Sequence, residues 1–197
     1  MLVLASSSPR RAEILTSLGV AFVIDPSHVP EEVLAGESPP AAVSRLAAMK
    51  AAEVAARHRS RWVLAADTLV SIGSNLLGKP ADEAEAASML RSIAGREHRV
   101  YTGVVLRPGN GASRDLIAES RVRIAPMSEE EIAWYVATGE PRDKAGAYAV
   151  QGLGSRFIER VEGSYTNVMG LPARGVYRLM REAGAGPSLD LPAPSGS

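Results

Sequence analysis

Residues 2–5 form a run of four apolar positions that reads as a short buried strand. It gives way to Ser6-Ser7-Ser8-Pro9-Arg10-Arg11. There Ser8 is placed to cap a helix, Pro9 takes the first turn without losing a needed hydrogen bond, and Leu15 and Leu18 supply the buried stripe up to Gly19. Residues 20–24 predict a second strand, followed by a polar connection carrying Glu31 and Glu32. Ser38-Pro39 opens a long helix by the same device, with Val43, Leu46, Ala47 and Val54 on its apolar face. Lys50 falls on that face as well. Its ammonium either snorkels to a nearby surface or reaches a polar cleft where an anion compensates its charge.

Residues 62–66 predict a compact apolar strand ending in Asp67; Thr68, the apolar segment 69–72 and a turn at Gly73-Ser74-Asn75 follow. After Gly78-Lys79-Pro80, Asp82 and Glu85 make an acidic capping box for a helix that points Met89, Leu90 and Ile93 inward. Extended segments 100–106 and 116–124 flank Pro108-Gly109-Asn110-Gly111, the strongest hairpin signal in the chain. The second arm alternates Ser120, Val122 and Ile124 with Glu119, Arg121 and Arg123, which predicts one wet face. Ser128 and Glu131 form a second capping box before a helix with Ile132, Tyr135 and Val136, closed by Gly139. A glycine-rich stretch, 146–154, carries Tyr148 and Gln151; a strand at 157–161 and a last helix with Val176, Leu179 and Met180 complete the pattern. Mixed strands and helices around a central hairpin predict an α/β or α+β architecture with a curved mixed sheet.

Composition narrows the picture. A chain of 197 residues with 46% hydrophobic positions buries a real core, and one domain of two lobes over residues 1–185 is expected, with 186–197 as a flexible tail. Basic and acidic residues number 22 each, so the electrostatic footprint of a general nucleic-acid binder is absent and phosphate binding must come from local clustering. The lack of cysteine removes thiol nucleophiles and cysteine-ligated metals. The apolar run at residues 2–5 is too short for a secretory core, and no stretch approaches the roughly 18 apolar residues of a membrane span; a soluble cytoplasmic protein without membrane partners is expected.

No Gly-x-x-x-x-Gly-Lys-Ser/Thr loop is present, and Gly78-Lys79-Pro80 does not replace one. His28, His58 and His98 lack metalloprotease spacing and read as ordinary surface or cap residues. Residues 6–11 gather hydroxyls, helix-start amides and two guanidinium groups, a set that either receives a phosphate or forms a solvated helix face. Asp67, after an apolar strand, either caps a loop amide or stands rigidly above a cleft as a metal ligand or general base.

The ordered motifs Ala5-Ser6-Ser7-Ser8-Pro9-Arg10-Arg11, Lys50, Ala66-Asp67-Thr68, Gly78-Lys79-Pro80, the run from Gly139 through Tyr148 to Gln151-Gly152, Gly163-Ser164-Tyr165 and Val168-Met169-Gly170-Leu171-Pro172 resemble the Maf family of nucleotide pyrophosphatases over residues 2–182. The resemblance implies an inosine triphosphate pyrophosphatase-like fold, with an elongated mixed sheet, helices and a cleft between two lobes. It further implies a homodimer, dependence on a divalent cation, Mg2+ or Mn2+, and cleavage of a nucleoside triphosphate to monophosphate and pyrophosphate. By the same likeness Asp67 accepts the proton of water and binds metal, Glu31 (or Glu32 in its place) supports the metal, and Ser6, Arg11, Lys50 and Lys79 contact phosphate. Arg11, Thr68 and Gln151 match the specificity positions of the branch that cleaves dTTP and UTP. The rival expectations are the 7-methyl-GTP branch and a catalytically silent nucleotide-binding regulator of septum formation.

Overall fold

One strand, β3 (Trp62–Ile72), organises the molecule. In the computed structural model, which describes residues 1–109 and 111–185, it lies inside a seven-stranded mixed sheet. The expected tail, 186–197, and Asn110 of the hairpin turn lie outside the described residues. The strand order is β2 (Phe22–Ile24), β1 (Leu2–Leu4), β3, β5 (Glu97–Pro108), β6 (Arg114–Ile124), β7 (Ile158–Glu162), with β4 (Asn75–Leu77) paired to the far end of β3. β1 runs parallel to β2 and β3, and the pairs from β3 to β7 are antiparallel. The helices are α1 (Pro9–Ser17), α2 (Pro39–Arg57), α3 (Glu83–Ile93), α4 (Glu129–Ala137), the single turn α5 (Tyr165–Val168) and α6 (Ala173–Ala183). Among the described residues no helix is long and apolar enough to cross a membrane.

Side chains alternate across β3, and the alternation distributes the core. Val63 and Ala65 pack with Ala47, Ala51 and Val54 of α2, whereas Leu64 and Ala66 pack on the other face with Ile14 and Leu15 of α1 and Val176 and Met180 of α6. Farther along, Val70 and Ile72 join Leu90 and Ile93 of α3 and Ile132 and Tyr135 of α4. The β5–β6 hairpin forms as its pattern predicts, with Ser120, Val122 and Ile124 buried and Glu119, Arg121 and Arg123 exposed.

Three local expectations need correction. Asp67 does not end a strand, because β3 pairs with β5 continuously from Trp62 to Ser71. The opposite edge is what breaks: β1 pairs only at Val63 and Leu64, and β4 only at Val70 to Ile72. Asp67 and Thr68 sit in the gap between them. Ser8 and Ser38 hold the N-cap positions of α1 and α2 without a side-chain cap. Pro9 and Pro39 remove the first amide, and at Ser38 a second proline removes the next, so fewer donors await a cap. The capping box at Ser128 and Glu131 is complete, whereas Glu85 accepts from Ala81 N, one residue before the Asp82 N-cap. Turn α5 and three short 3-10 segments, Glu140–Asp143, Ala145–Ala147 and Gly152–Phe157, lack the apolar periodicity that reveals a longer helix.

Candidate active site

Neighbouring residues of β3 point to opposite faces, so Asp67 meets α2 while Thr68 meets α1. Lys50, on the buried face of α2, places Nζ 2.6 Å from Asp67 Oδ1 and 2.8 Å from Glu31 Oε1. The approach depends on Gly103, which stands opposite Asp67 on β5 and against which α2 packs; a Cβ there would overlap the Val43 carbonyl. Lys50 and Asp67 are only 5% and 4% exposed. Removing an unpaired ammonium from water costs several kcal/mol, more than the burial of any one neighbouring leucine returns, about 1.5–3 kcal/mol. The two carboxylates therefore explain why a lysine is tolerated on this face, and snorkelling does not.

On the other face, Arg11 is fixed in three directions. Its Nε donates to the Gly170 carbonyl at 2.9 Å, Nη1 to Ser6 Oγ at 3.1 Å and Nη2 to Thr68 Oγ1 at 3.2 Å. Burial lowers the Arg11 pKa, opposed by the charges of Asp67 and Glu31. Thr68 Oγ1 also lies 2.9 Å from Thr102 Oγ1, and Thr102 is fixed in turn by the Asn167 carbonyl at 3.3 Å. Partial burial alone would raise the Glu31 carboxyl, but the hydrogen bond and charge of Lys50, with Lys79 and Arg11 beyond it, outweigh that and hold its pKa below the ordinary carboxylate value.

These groups line one cavity of about 340 Å³. Ser6, Arg11, Glu31, Lys50, Asp67, Thr68, Lys79 and Gln151 all reach its wall. Glu32 does not; it is exposed, and its carbonyl accepts from Arg45 Nη2 at 2.9 Å. Lys79 is exposed, and Val70, Val100, Tyr148, Val150 and Val168 add apolar lining to the cavity that Gln151 shares. Arg10, Asp143 and Lys144 also line the cavity, with Arg10 Nη1 3.2 Å from Asp143 Oδ2 and Lys144 Nζ 2.6 Å from Asp143 Oδ1. The sequence pattern carries no sign of Thr102 or Asn167, because each contact is made between strands or loops far apart in the chain.

His98 is a further correction: it is neither a surface nor a cap residue. It is buried in β5, with Nε2 2.8 Å from the Tyr148 hydroxyl and the two rings edge to face. Burial pushes its pKa down to about 4, from an ordinary value near 6.5. The unfolded chain therefore binds the extra proton first, and stability present above pH 6.5 is lost as pH falls toward 4. The contribution is on the order of 3 kcal/mol. Thermal melting across that range should show His98→Gln lacking this part of the acid destabilisation; parallel curves for the two proteins would put the proton elsewhere.

The fold and the cavity together define a class. A solved structure of a HAM1 protein from Coxiella burnetii has the same architecture, with a TM-score of 0.51 at 18% identity, covering 92% of this chain and 98% of that one. The fold is thus of the inosine triphosphate pyrophosphatase-like type, a mixed sheet with helices and an open polar cleft. Within it the chain belongs to the Maf-like protein family, which it matches over residues 1–183. Among curated relatives, the dTTP/UTP pyrophosphatase of Koribacter versatilis (strain Ellin345) is 49% identical over 185 residues, 93% of this chain and 94% of the relative. That of Myxococcus xanthus (strain DK1622) is 48% identical over 184 residues, covering 93% of each.

Proposed function

We propose that this protein hydrolyses dTTP and UTP, and uridine triphosphates modified away from the recognised base edge, to the nucleoside monophosphate and pyrophosphate. One observation carries the reading: a single cavity is lined both by a cationic, hydroxyl-rich wall, Ser6, Arg11, Lys50 and Lys79, and by an apolar set, Val70, Val100, Tyr148, Val150 and Val168, together with Gln151. The first wall suits a triphosphate, which takes charge-assisted hydrogen bonds from arginine and lysine and backbone donors at the start of α1. The second suits a pyrimidine, whose edge offers a donor and an acceptor to match a carboxamide.

In this reading Arg11, Lys79 and the hydroxyl of Ser6 hold the phosphates, and Lys50 neutralises charge between Glu31 and Asp67. Asp67 Oδ1 is engaged by Lys50, and Oδ2 has no protein donor among the described residues. That oxygen orients the attacking water and takes its proton.

A divalent ion fits the donor set. Glu31 and Asp67 present hard oxygens within reach of one ammonium, and Mg2+ or Mn2+ uses one or two carboxylates and completes its shell with phosphate and water. Among the described residues no cluster of three acidic or histidine ligands makes a closed protein cage. When bound, such an ion supplies charge neutralisation to the triphosphate and to the departing pyrophosphate. A cytoplasmic homodimer is the form we propose for the working enzyme; light scattering on the purified chain decides the dimer, and cell fractionation the location.

The test is a panel of dTTP, UTP, 7-methyl-GTP and purine triphosphates with both products identified, run in 18O-labelled water. Pyrophosphate with a labelled monophosphate from dTTP and UTP is expected, the result of attack at the alpha phosphorus. Preferential cleavage of 7-methyl-GTP would overturn the substrate assignment, and nucleotide binding without metal-dependent turnover would overturn the enzyme. Gln151→Ala should lower the preference for dTTP over dGTP by about tenfold with metal dependence unchanged, since a base edge left unpaired in the pocket carries the penalty. An unaltered preference would move the determinant off Gln151.

A further inference from the structure

The Gln151 side chain makes no hydrogen bond to the protein among the described residues, yet the backbone on both sides of it is tied down through two side chains that do not line the cavity. Ala149 N donates to the Tyr135 hydroxyl at 3.0 Å, and that hydroxyl donates to Glu140 Oε2 at 2.7 Å. Beyond Gln151, Leu153 N donates to Glu140 Oε1 at 3.0 Å and Gly154 N to Oε2 at 2.8 Å. Gly152 lies between at φ +77°, where a Cβ would overlap Glu140 Oε1, so the carboxylate is packed directly on the loop backbone. Tyr135 is fully buried, with its ring edge to face against Phe157.

We propose that Glu140 and Tyr135 form a positioning brace that fixes the loop around Gln151 and so sets how sharply the enzyme separates pyrimidine from purine triphosphates. The proposal rests on the reading of Gln151 as the base reader. Only an ionised carboxylate offers acceptors to all three donors at once. A loop held this way before ligand arrives spares the ordering entropy that a mobile one loses on binding, and the saving is specific to the base that the aimed amide fits. Neither side chain reaches the cavity, so each acts through the loop alone.

The experiment measures kcat and KM for dTTP and dGTP in the wild type, Glu140→Gln, Tyr135→Phe, Gln151→Ala and the two double variants. Glu140→Gln replaces one acceptor oxygen with a donor, and Tyr135→Phe keeps the ring but frees Ala149 N. Each should lower the dTTP/dGTP ratio of kcat/KM by about tenfold, with most of the loss in KM for dTTP. In the Gln151→Ala background the same changes should leave the ratio where it was, because the loop then has nothing to aim. Equal effects in both backgrounds, or an unchanged ratio in the single variants, would overturn the brace. Ser128→Ala, which removes the cap of α4 without touching the loop, should lower the melting temperature and keep the ratio; an equal loss of selectivity there would also overturn it. Should Glu140→Gln not fold, Tyr135→Phe decides by the same cycle. A wild type with no preference for dTTP would sink the Gln151 reading and the brace together, whereas a selective wild type with indifferent brace variants sinks the brace alone.

Discussion

Asp67→Asn is expected to cut pyrophosphate release by about two orders of magnitude or more, because the amide neither takes a proton from water nor binds a divalent ion well. The fold should survive. Two carboxylates facing each other across an empty cleft would repel, and on that picture the substitution stabilises. The structure places Lys50 between them, 2.6 Å from Asp67 and 2.8 Å from Glu31, so the sign reverses. The carboxamide oxygen of the variant still accepts from Lys50, but a charged hydrogen bond becomes a neutral one and Glu31, which is half exposed, is left as the lysine's ionic partner. A loss of about 1–3 kcal/mol is expected. Melting, nucleotide binding and pyrophosphate production on one preparation separate the two effects. Near-normal turnover would remove Asp67 from the chemistry, and a rise in melting temperature would contradict the ion-paired arrangement.

Lys50→Ala and Lys79→Ala should both lower kcat/KM severely, and only the first should also destabilise the protein. The resemblance gives the two lysines one role, a charge-assisted phosphate contact whose loss touches activity far more than stability. In the fold Lys50 is buried on the inner face of α2, and truncating it leaves the Asp67 carboxylate buried without its cation. Breaking such a pair from one side costs on the order of 3 kcal/mol. Lys79 stands exposed at the cavity, and on the proposed reading its loss removes a phosphate contact and little else. Urea unfolding beside steady-state kinetics distinguishes them: equal stability of both variants would mean that Lys50 is solvated in solution, and near-normal turnover by either would exclude that lysine from the site.

Most of the architecture is written in local signals. The alternation of β6, the turn chemistry at residues 108–111, the Ser128–Glu131 box and the apolar faces of α2, α3 and α6 each follow from period and propensity over a few residues, which is the range at which sequence acts directly on backbone conformation. The candidate site was legible in part for a different reason: residue types fit for phosphate stand in ordered motifs, and the resemblance they carry singles out the side chains that later share a cavity. What local pattern cannot carry is the partner of each group. Whether Lys50 snorkels or is ion-paired depends on Asp67, seventeen residues away, and on Gly103 across the sheet. That Glu31 and not Glu32 lines the cavity, that His98 is buried against Tyr148 and that Glu140 accepts from Leu153 N and Gly154 N are decided by contacts between elements whose separation along the chain leaves no periodic trace. Sequence by itself thus determined the elements, their faces and the chemistry available to the cleft. Tertiary structure alone decided which charges meet, because burial and pairing are properties of the space between elements, where water is excluded and a carboxylate's only cation is the one the fold brings to it.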